Sequence, residues 1–220
     1  MSTTTPSTSL TPATVEMRAG LLGQIGEEIL SAYDRDAEAM GAGDAFAGAL
    51  RAGDRAPGFR LADAGGGEVA LDDLLVDGPV VLVFYRGAWC PYCNLQLAAL
   101  QSALADIRAT GAALVAVSPQ TPDQSLTLAE RHTLEFPVLS DVGNAVARSY
   151  GLVFTQSEAA TATSRQLGIE LADFNGDDSN TLPASSTFVI GEDGVIRFAS
   201  VSGDYRWRVG PDEVLAALRG

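Results

Sequence analysis

The run Pro79 to Tyr85 (PVVLVFY) constrains this chain more than any other stretch. It is apolar and β-branched with no polar alternation, so it reads as a strand covered on both faces, which demands a layer on each side of a sheet. Just beyond it, past Arg86-Gly87-Ala88-Trp89, the period changes. Cys93, Leu97, Leu100, Leu104 and Ile107 recur at steps of four and three, which predicts one buried stripe on a helix running from about Cys90 to about Arg108. A second buried strand is predicted at Ala113 to Ser118, a helix from about Asp123 to Thr133, and a short strand around Phe136 to Leu139. This β-α-β-α-β alternation implies an α/β fold with a parallel sheet and crossover helices.

With 220 residues, the chain suits one principal domain with decorations. Residues 1–12 are rich in Ser, Thr and Pro and are expected to be disordered, since they bury too little apolar surface to offset ordering. Residues 13–50 read as a helical extension in which Leu22, Ile25 and Ile29 share one face. That face should pack on the main domain or on a second subunit, so a homodimer is one expectation. Gly41, Gly43 and Gly48 mark a linker or a broken helix before the main domain, residues 51–220. Residues from about 156 to 182 interrupt the alternation and read as an insertion holding a helical piece and a polar loop. Thr187 to Ile190 and Val195 to Phe198 then flank Gly191-Glu192-Asp193-Gly194 as a hairpin, and a helix from Pro211 to Leu218 closes the chain.

A net charge of −14 argues against nucleic acid as a partner, because phosphate backbones would be repelled. No apolar run approaches the ~20 residues of a membrane helix, and the N-terminus lacks the pattern of a secretory signal; the expectation is a cytoplasmic protein without a membrane partner. Only two cysteines occur, Cys90 and Cys93, in the order C-x-x-C. Such a pair reads as a redox couple or as half a metal site. A closed zinc site needs four ligands, and beyond the two thiolates the chain offers one histidine, His132, and carboxylates, so zinc is the weaker reading.

Thiol chemistry runs through the thiolate, and a free cysteine near pKa ~8.5 is mostly protonated at neutral pH. Cys90, where a strand ends and a helix begins, should feel unpaired backbone N–H groups and the positive end of the helix dipole, with Pro91 suited to the first turn. Cys93 lies on the apolar stripe and should be the less exposed sulfur. On this reading Cys90 attacks and Cys93 resolves; the alternative is two buried, inert cysteines. Arg86 is either a cation that lowers a thiolate pKa or a solvent-exposed strand end. Trp89 is expected to shield the site by packing. His132 stands in a polar stretch, AERHTLEF, and is read as a surface residue.

These residues carry a resemblance. GDRAPGF, VVLVFYRGAWCPYC, LVAVSPQTP, FPVLSDVGNAVARSYGL, and TFVIGEDGVIRF followed by DYRWR together resemble, in order, the peroxiredoxin-like branch of the AhpC/TSA (alkyl hydroperoxide reductase / thiol-specific antioxidant) family. They span about three-quarters of the chain. The resemblance implies a thioredoxin-like fold, a central mixed sheet flanked by helices with an N-terminal helical extension. It also implies a thiol-dependent peroxidase whose Cys90 sulfenic acid is resolved by Cys93 and recycled by thioredoxin or a similar dithiol. No metal, haem or flavin would be needed. Typical members carry Pro-x-x-x-Thr/Ser-x-x-Cys and a distant arginine; here Val83 and Gly87 take the Pro and Thr/Ser places, and no arginine stands near Ser185, leaving Arg86 as the substitute. Thioredoxin-like proteins also place a cis-proline before the TFVI-like strand, where this chain has Ser185, with Pro183 two residues earlier. Ser185 and Trp89 are the candidate substrate-binding residues, with the Ser185 hydroxyl either donating to a thiolate or capping a turn. The intact CPYC keeps a general thiol–disulfide oxidoreductase open, and a non-catalytic redox sensor is the third reading.

Overall fold

The computed structural model describes residues 9–41, 45–125 and 133–220. In chain order the elements are α1 (Thr11–Gly41), β1 (Arg60–Asp63), β2 (Glu68–Ala70), α2 (Leu71–Leu75), β3 (Val80–Phe84), α3 (Pro91–Ser102), α4 (Leu104–Ala109), β4 (Ala113–Ser118) and β5 (Val138–Ser140). They continue with α5 (Ala145–Ser149), β6 (Val153–Thr155), α6 (Glu158–Gln166), α7 (Leu171–Asn175), β7 (Thr181–Pro183), β8 (Ser185–Ile190), β9 (Ile196–Ser202) and α8 (Pro211–Arg219).

A seven-stranded mixed sheet, in the order β2-β1-β5-β4-β3-β8-β9, forms the centre. The β3-β4-β5 core is parallel, as the alternation requires, while β8 pairs antiparallel with β3 and β9 antiparallel with β8. Every residue of β3 is buried, and alternate residues serve opposite layers. Val81 and Val83 face α3, α4 and α8, together with part of α1. Val80, Leu82 and Phe84 face Leu71, Ala147 and Tyr150 on the other side. Burial on both faces explains the uninterrupted apolar run. The fold is the thioredoxin-like one that the resemblance implies, with its N-terminal helical extension.

The stripe Cys93, Leu97, Leu100, Leu104 and Ile107 is buried throughout. The helix that carries it is not continuous: α3 ends at Ser102, and Ala103, at φ −99° and ψ 5°, joins it to α4. The third parallel strand begins at Val138, two residues later than its apolar pattern suggests. Most of the helix expected from Asp123 to Thr133, His132 included, lies outside the described residues. No described helix is long and apolar enough to cross a membrane.

The expectation of disorder over residues 1–12 is corrected in its described part. The Ser9 backbone N–H and hydroxyl both donate to the Glu213 carboxylate, at 2.6 and 2.8 Å, and Thr11 and Pro12 open α1. The buried face of the extension also differs. Gly26, at φ 81° and ψ 164°, breaks the helical path within α1 and shifts its phase. After the break Leu30, Asp34 and Ala37 turn inward and are buried, whereas Leu22, Ile25 and Ile29 are only half-buried. Polar ties fix the extension: Tyr33 to Ser164 at 2.9 Å, the Ser157 N–H to Asp36 at 3.1 Å, and the Tyr205 hydroxyl to Asp34 at 2.6 Å. The segment read as an insertion is ordered, with α6 and α7 held between β6 and β7, which pair antiparallel.

Candidate active site

The end of β3 leads directly to the chemistry. Tyr85 N–H still bonds to Val117 on β4, and the chain then turns through Arg86 to Trp89, with Cys90 N–H donating to Gly87 C=O at 3.1 Å. Gln120 accepts from Ala88 N–H at 2.6 Å, and Asn94 donates to Ala88 C=O at 2.9 Å, so the turn is tied to the segment just past β4 and to α3. Cys90 is the extended N-cap of α3 and Pro91 opens the first turn, as expected. Gly87 has φ +151°, and a Cβ there would meet the Trp89 Nε1 at 2.4 Å. Any side chain at this position, the Thr or Ser of the usual pattern included, would displace the indole.

Both cysteines are free thiols and both are buried, Cys90 at 2% exposure and Cys93 at 0%. The expected contrast in exposure is therefore nearly absent. The contrast lies in what reaches each sulfur. Cys93 Sγ receives Arg208 Nη2 at 3.5 Å, and the same nitrogen is 3.9 Å from Cys90 Sγ. Burial pushes the Cys93 thiol up, but the Cys90 hydrogen bond, the Arg208 charge, the Arg86 backbone N–H and the Arg86 charge outweigh it and hold Cys93 well below the ordinary cysteine range. Cys90 is held well above that range, chiefly because its proton is engaged by Cys93, and by burial. The helix N-terminus was expected to favour the Cys90 anion; its sulfur accepts no capping hydrogen bond among the described residues, and of the two thiols it is Cys93 that its surroundings push down.

Arg208 answers the missing distant arginine. It comes from the loop between β9 and α8, not from the start of β8, and lies within DYRWR, a segment whose arginines the sequence reading left unassigned. The loop is pinned on two sides: Gln96 of α3 donates to Val209 C=O at 2.9 Å, and Asp34 of the extension takes the Tyr205 hydroxyl. Asp34 also pairs with Arg18 and with Arg206, the latter at 3.3 Å. The one signal in the sequence was the arginine-rich run itself, since a buried cation 115 positions from Cys93 leaves no periodic trace.

Arg86 is 6% exposed, so it is no solvent-facing strand end. Its guanidinium carbon lies 5.0 Å from the Trp89 ring centroid and 5.6 Å from that of Tyr205, and its Nε has no hydrogen-bond partner among the described residues. Its charge favours both thiolates. Ser185 opens β8, and its hydroxyl makes no hydrogen bond to either sulfur among the described residues. With Arg86 and Tyr205 it borders a recess of about 10 Å³, the size of one water. All described peptide bonds are trans, and Pro183 pairs with Val153 in the β6-β7 ribbon. A separate cavity of about 200 Å³ is bordered by Cys90, Arg86 and Trp89 but not by Cys93.

The sequence model of the AhpC/TSA family matches residues 52–199. A putative peroxiredoxin of Mycobacterium tuberculosis (strain ATCC 25618 / H37Rv) is 35% identical over 102 residues, 46% of this chain and 64% of that protein. Peroxiredoxin Bcp of Escherichia coli (strain K12) is 35% identical over 104 residues, 47% of this chain and 65% of its own. The chain thus spans just under two thirds of the length of these relatives. Among solved structures, peroxidoxin BcpB from Mycobacterium tuberculosis superposes with a TM-score of 0.60 at 26% identity, covering 77% of this chain and 97% of that one. A PrxQ variant from Xylella fastidiosa gives 0.61 at 18% identity over 77% and 96%, a likeness of fold.

Proposed function

The chain belongs to the AhpC/TSA family, and from that membership we propose a thiol-dependent peroxidase in which Cys90 attacks the peroxide and Cys93 resolves the product. The observation that carries the proposal is the placing of two free sulfurs at a strand-to-helix junction under one buried guanidinium, Arg208, with the Cys90 side of the pair open to a cavity. The Cys93 thiolate takes the proton of the Cys90 thiol, and the Cys90 thiolate attacks the terminal oxygen of R–O–OH. The O–O bond breaks, Cys90 becomes a sulfenic acid, and the leaving alkoxide takes the proton now on Cys93 and departs as an alcohol. The Cys93 thiolate then attacks the Cys90 sulfur and expels hydroxide, leaving a disulfide, and two electrons have passed from the dithiol to the peroxide. An external dithiol such as thioredoxin restores both thiols. Arg208 and Arg86 supply positive charge where the thiolate and the leaving oxygen need it.

A general thiol–disulfide oxidoreductase is the second reading, favoured by CPYC and by Val83 and Gly87 at the places of the usual peroxide-binding pair. The 2% exposure of Cys90 works against it, since a protein disulfide must reach the sulfur itself. Stopped-flow oxidation of the reduced protein by hydrogen peroxide and an organic hydroperoxide, with mass spectrometry of Cys90 and Cys93, tests the proposal. Rapid formation of a Cys90–Cys93 disulfide supports it. Inert cysteines together with active insulin reduction would replace it by the second reading.

A further inference from the structure

The cavity beside Cys90 is built mostly by parts of the chain that the sulfur chemistry does not need. Leu21, Ile25 and Leu30 of α1 form one wall, and Leu167 and Ile169, in the turn between α6 and α7, form another. The α1 residues precede residue 52, where the family match begins. Of these five, four remain only half-buried, so their packing leaves apolar surface turned toward the space. The wall is held in place by the Tyr33–Ser164 and Asp36–Ser157 hydrogen bonds.

The lining is mostly apolar, with Tyr33, Tyr92 and Tyr205 adding rings that each carry one hydroxyl. Arg86, more than nine-tenths buried and with an unpartnered Nε among the described residues, borders the cavity next to Cys90, and no carboxylate does. A ligand complementary to this space has an apolar body and a compact polar head that meets a cation and a sulfur. Its size follows from the volume: an apolar cavity of roughly 150 Å³ accepts benzene, and this one measures about 200 Å³. We infer that α1 and the α6–α7 turn form an acceptor site for the apolar part of a compact organic hydroperoxide, aryl or short branched alkyl, with its O–O group directed to Cys90 and Arg86. The inference rests on the peroxidase reading of Cys90, and it makes Ile25, Leu167 and Ile169 specificity-determining residues.

The test compares oxidation of Cys90 by cumene hydroperoxide and by hydrogen peroxide, using rapid quench and mass spectrometry. It uses the wild-type chain, Ile25→Trp, which fills the cavity from a half-buried position, and Val15→Trp, an exposed site on the same helix. Ile25→Trp should lower the ratio of the two rates by roughly tenfold or more, about the value of burying one aromatic-sized group. Val15→Trp should leave the ratio unchanged, and Leu167→Phe replaces Ile25→Trp if that variant does not fold. Independently, cumyl alcohol should perturb the methyl NMR signals of Ile25, Leu167 and Ile169 in the reduced protein. An unchanged ratio, or equal loss with both peroxides, would overturn the inference. If no peroxide oxidises Cys90 the peroxidase reading fails by itself, and the cumyl alcohol titration alone decides the cavity: perturbed methyls retain the site, silent ones remove it.

Discussion

Replacing Arg208 by Met removes the one side-chain donor among the described residues that reaches both sulfurs, while keeping most of the buried stem. At 3.5 Å from Cys93 and 3.9 Å from Cys90, a full charge pair at an effective dielectric of ~20 gives a ceiling of about 5 kcal/mol. The net value of a hydrogen bond to a charged group is about 1.5–3 kcal/mol. At 1.36 kcal/mol per tenfold in rate, that range corresponds to a loss of roughly 10- to 150-fold if the contact is kept in the transition state. The assay is the second-order rate of disulfide formation with peroxide, alongside thiolate absorbance at 240 nm as pH is varied. The Cys93 thiol should titrate at higher pH in Arg208→Met, because a lowering influence is gone, and Arg208→Lys should recover part of both effects. A wild-type oxidation rate and an unmoved thiolate titration in a folded Arg208→Met protein would refute the reasoning, and with it the view that this loop completes the site.

Further outcomes follow from other contacts. Cys90→Ser should abolish peroxide consumption, whereas Cys93→Ser removes the base of the first step and the resolving sulfur, so Cys90 oxidises more slowly and its sulfenic acid, once formed, accumulates, as trapping with a dimedone-type reagent would show. Gly87→Thr should swing Trp89 away from Arg86, read as a red shift in tryptophan emission. Leu100→Ala, in the centre of the buried stripe, should cost about 2–5 kcal/mol in urea unfolding. Burial pushes the Glu213 carboxyl up, but bonds from Ser9 and Gly210 outweigh it and hold it below the ordinary range. Its contribution is therefore present above the ordinary value of about 4.3 and is lost as pH falls through the lowered one. Hydrogen exchange should show residues 9–12 releasing from α8 in that acid window and not at neutral pH.

What the sequence made legible was whatever repeats or sits at a junction. The β3 run and the Cys93-to-Ile107 stripe could be read because burial on two faces and burial on one stripe leave different periods. The C-x-x-C pair was legible from spacing, and Arg86 from adjacency. Which thiol its surroundings push down was not, because that depends on a guanidinium delivered by an irregular loop and on a backbone N–H two residues beyond β3. The inward face beyond Gly26 was not legible, for a local reason. A periodic count runs through Gly26 as if the helix were straight, while the backbone there leaves the helical region and reassigns the inward face to Leu30, Asp34 and Ala37.

Burial of both sulfurs beneath the extension has a kinetic consequence. A small peroxide would need only the space beside Cys90, but a protein thiol must reach the sulfur along the line of the disulfide it breaks, and Cys90 at 2% exposure, bordered by α1, Tyr205 and Trp89, offers it little surface. Re-reduction by a protein would then wait on a unimolecular opening of this cover. Its rate would become independent of reductant concentration once that concentration is high enough, while oxidation would stay proportional to peroxide. Under a pulse of peroxide the molecule would accumulate in its oxidised form and drain from it at a pace set by its own extension.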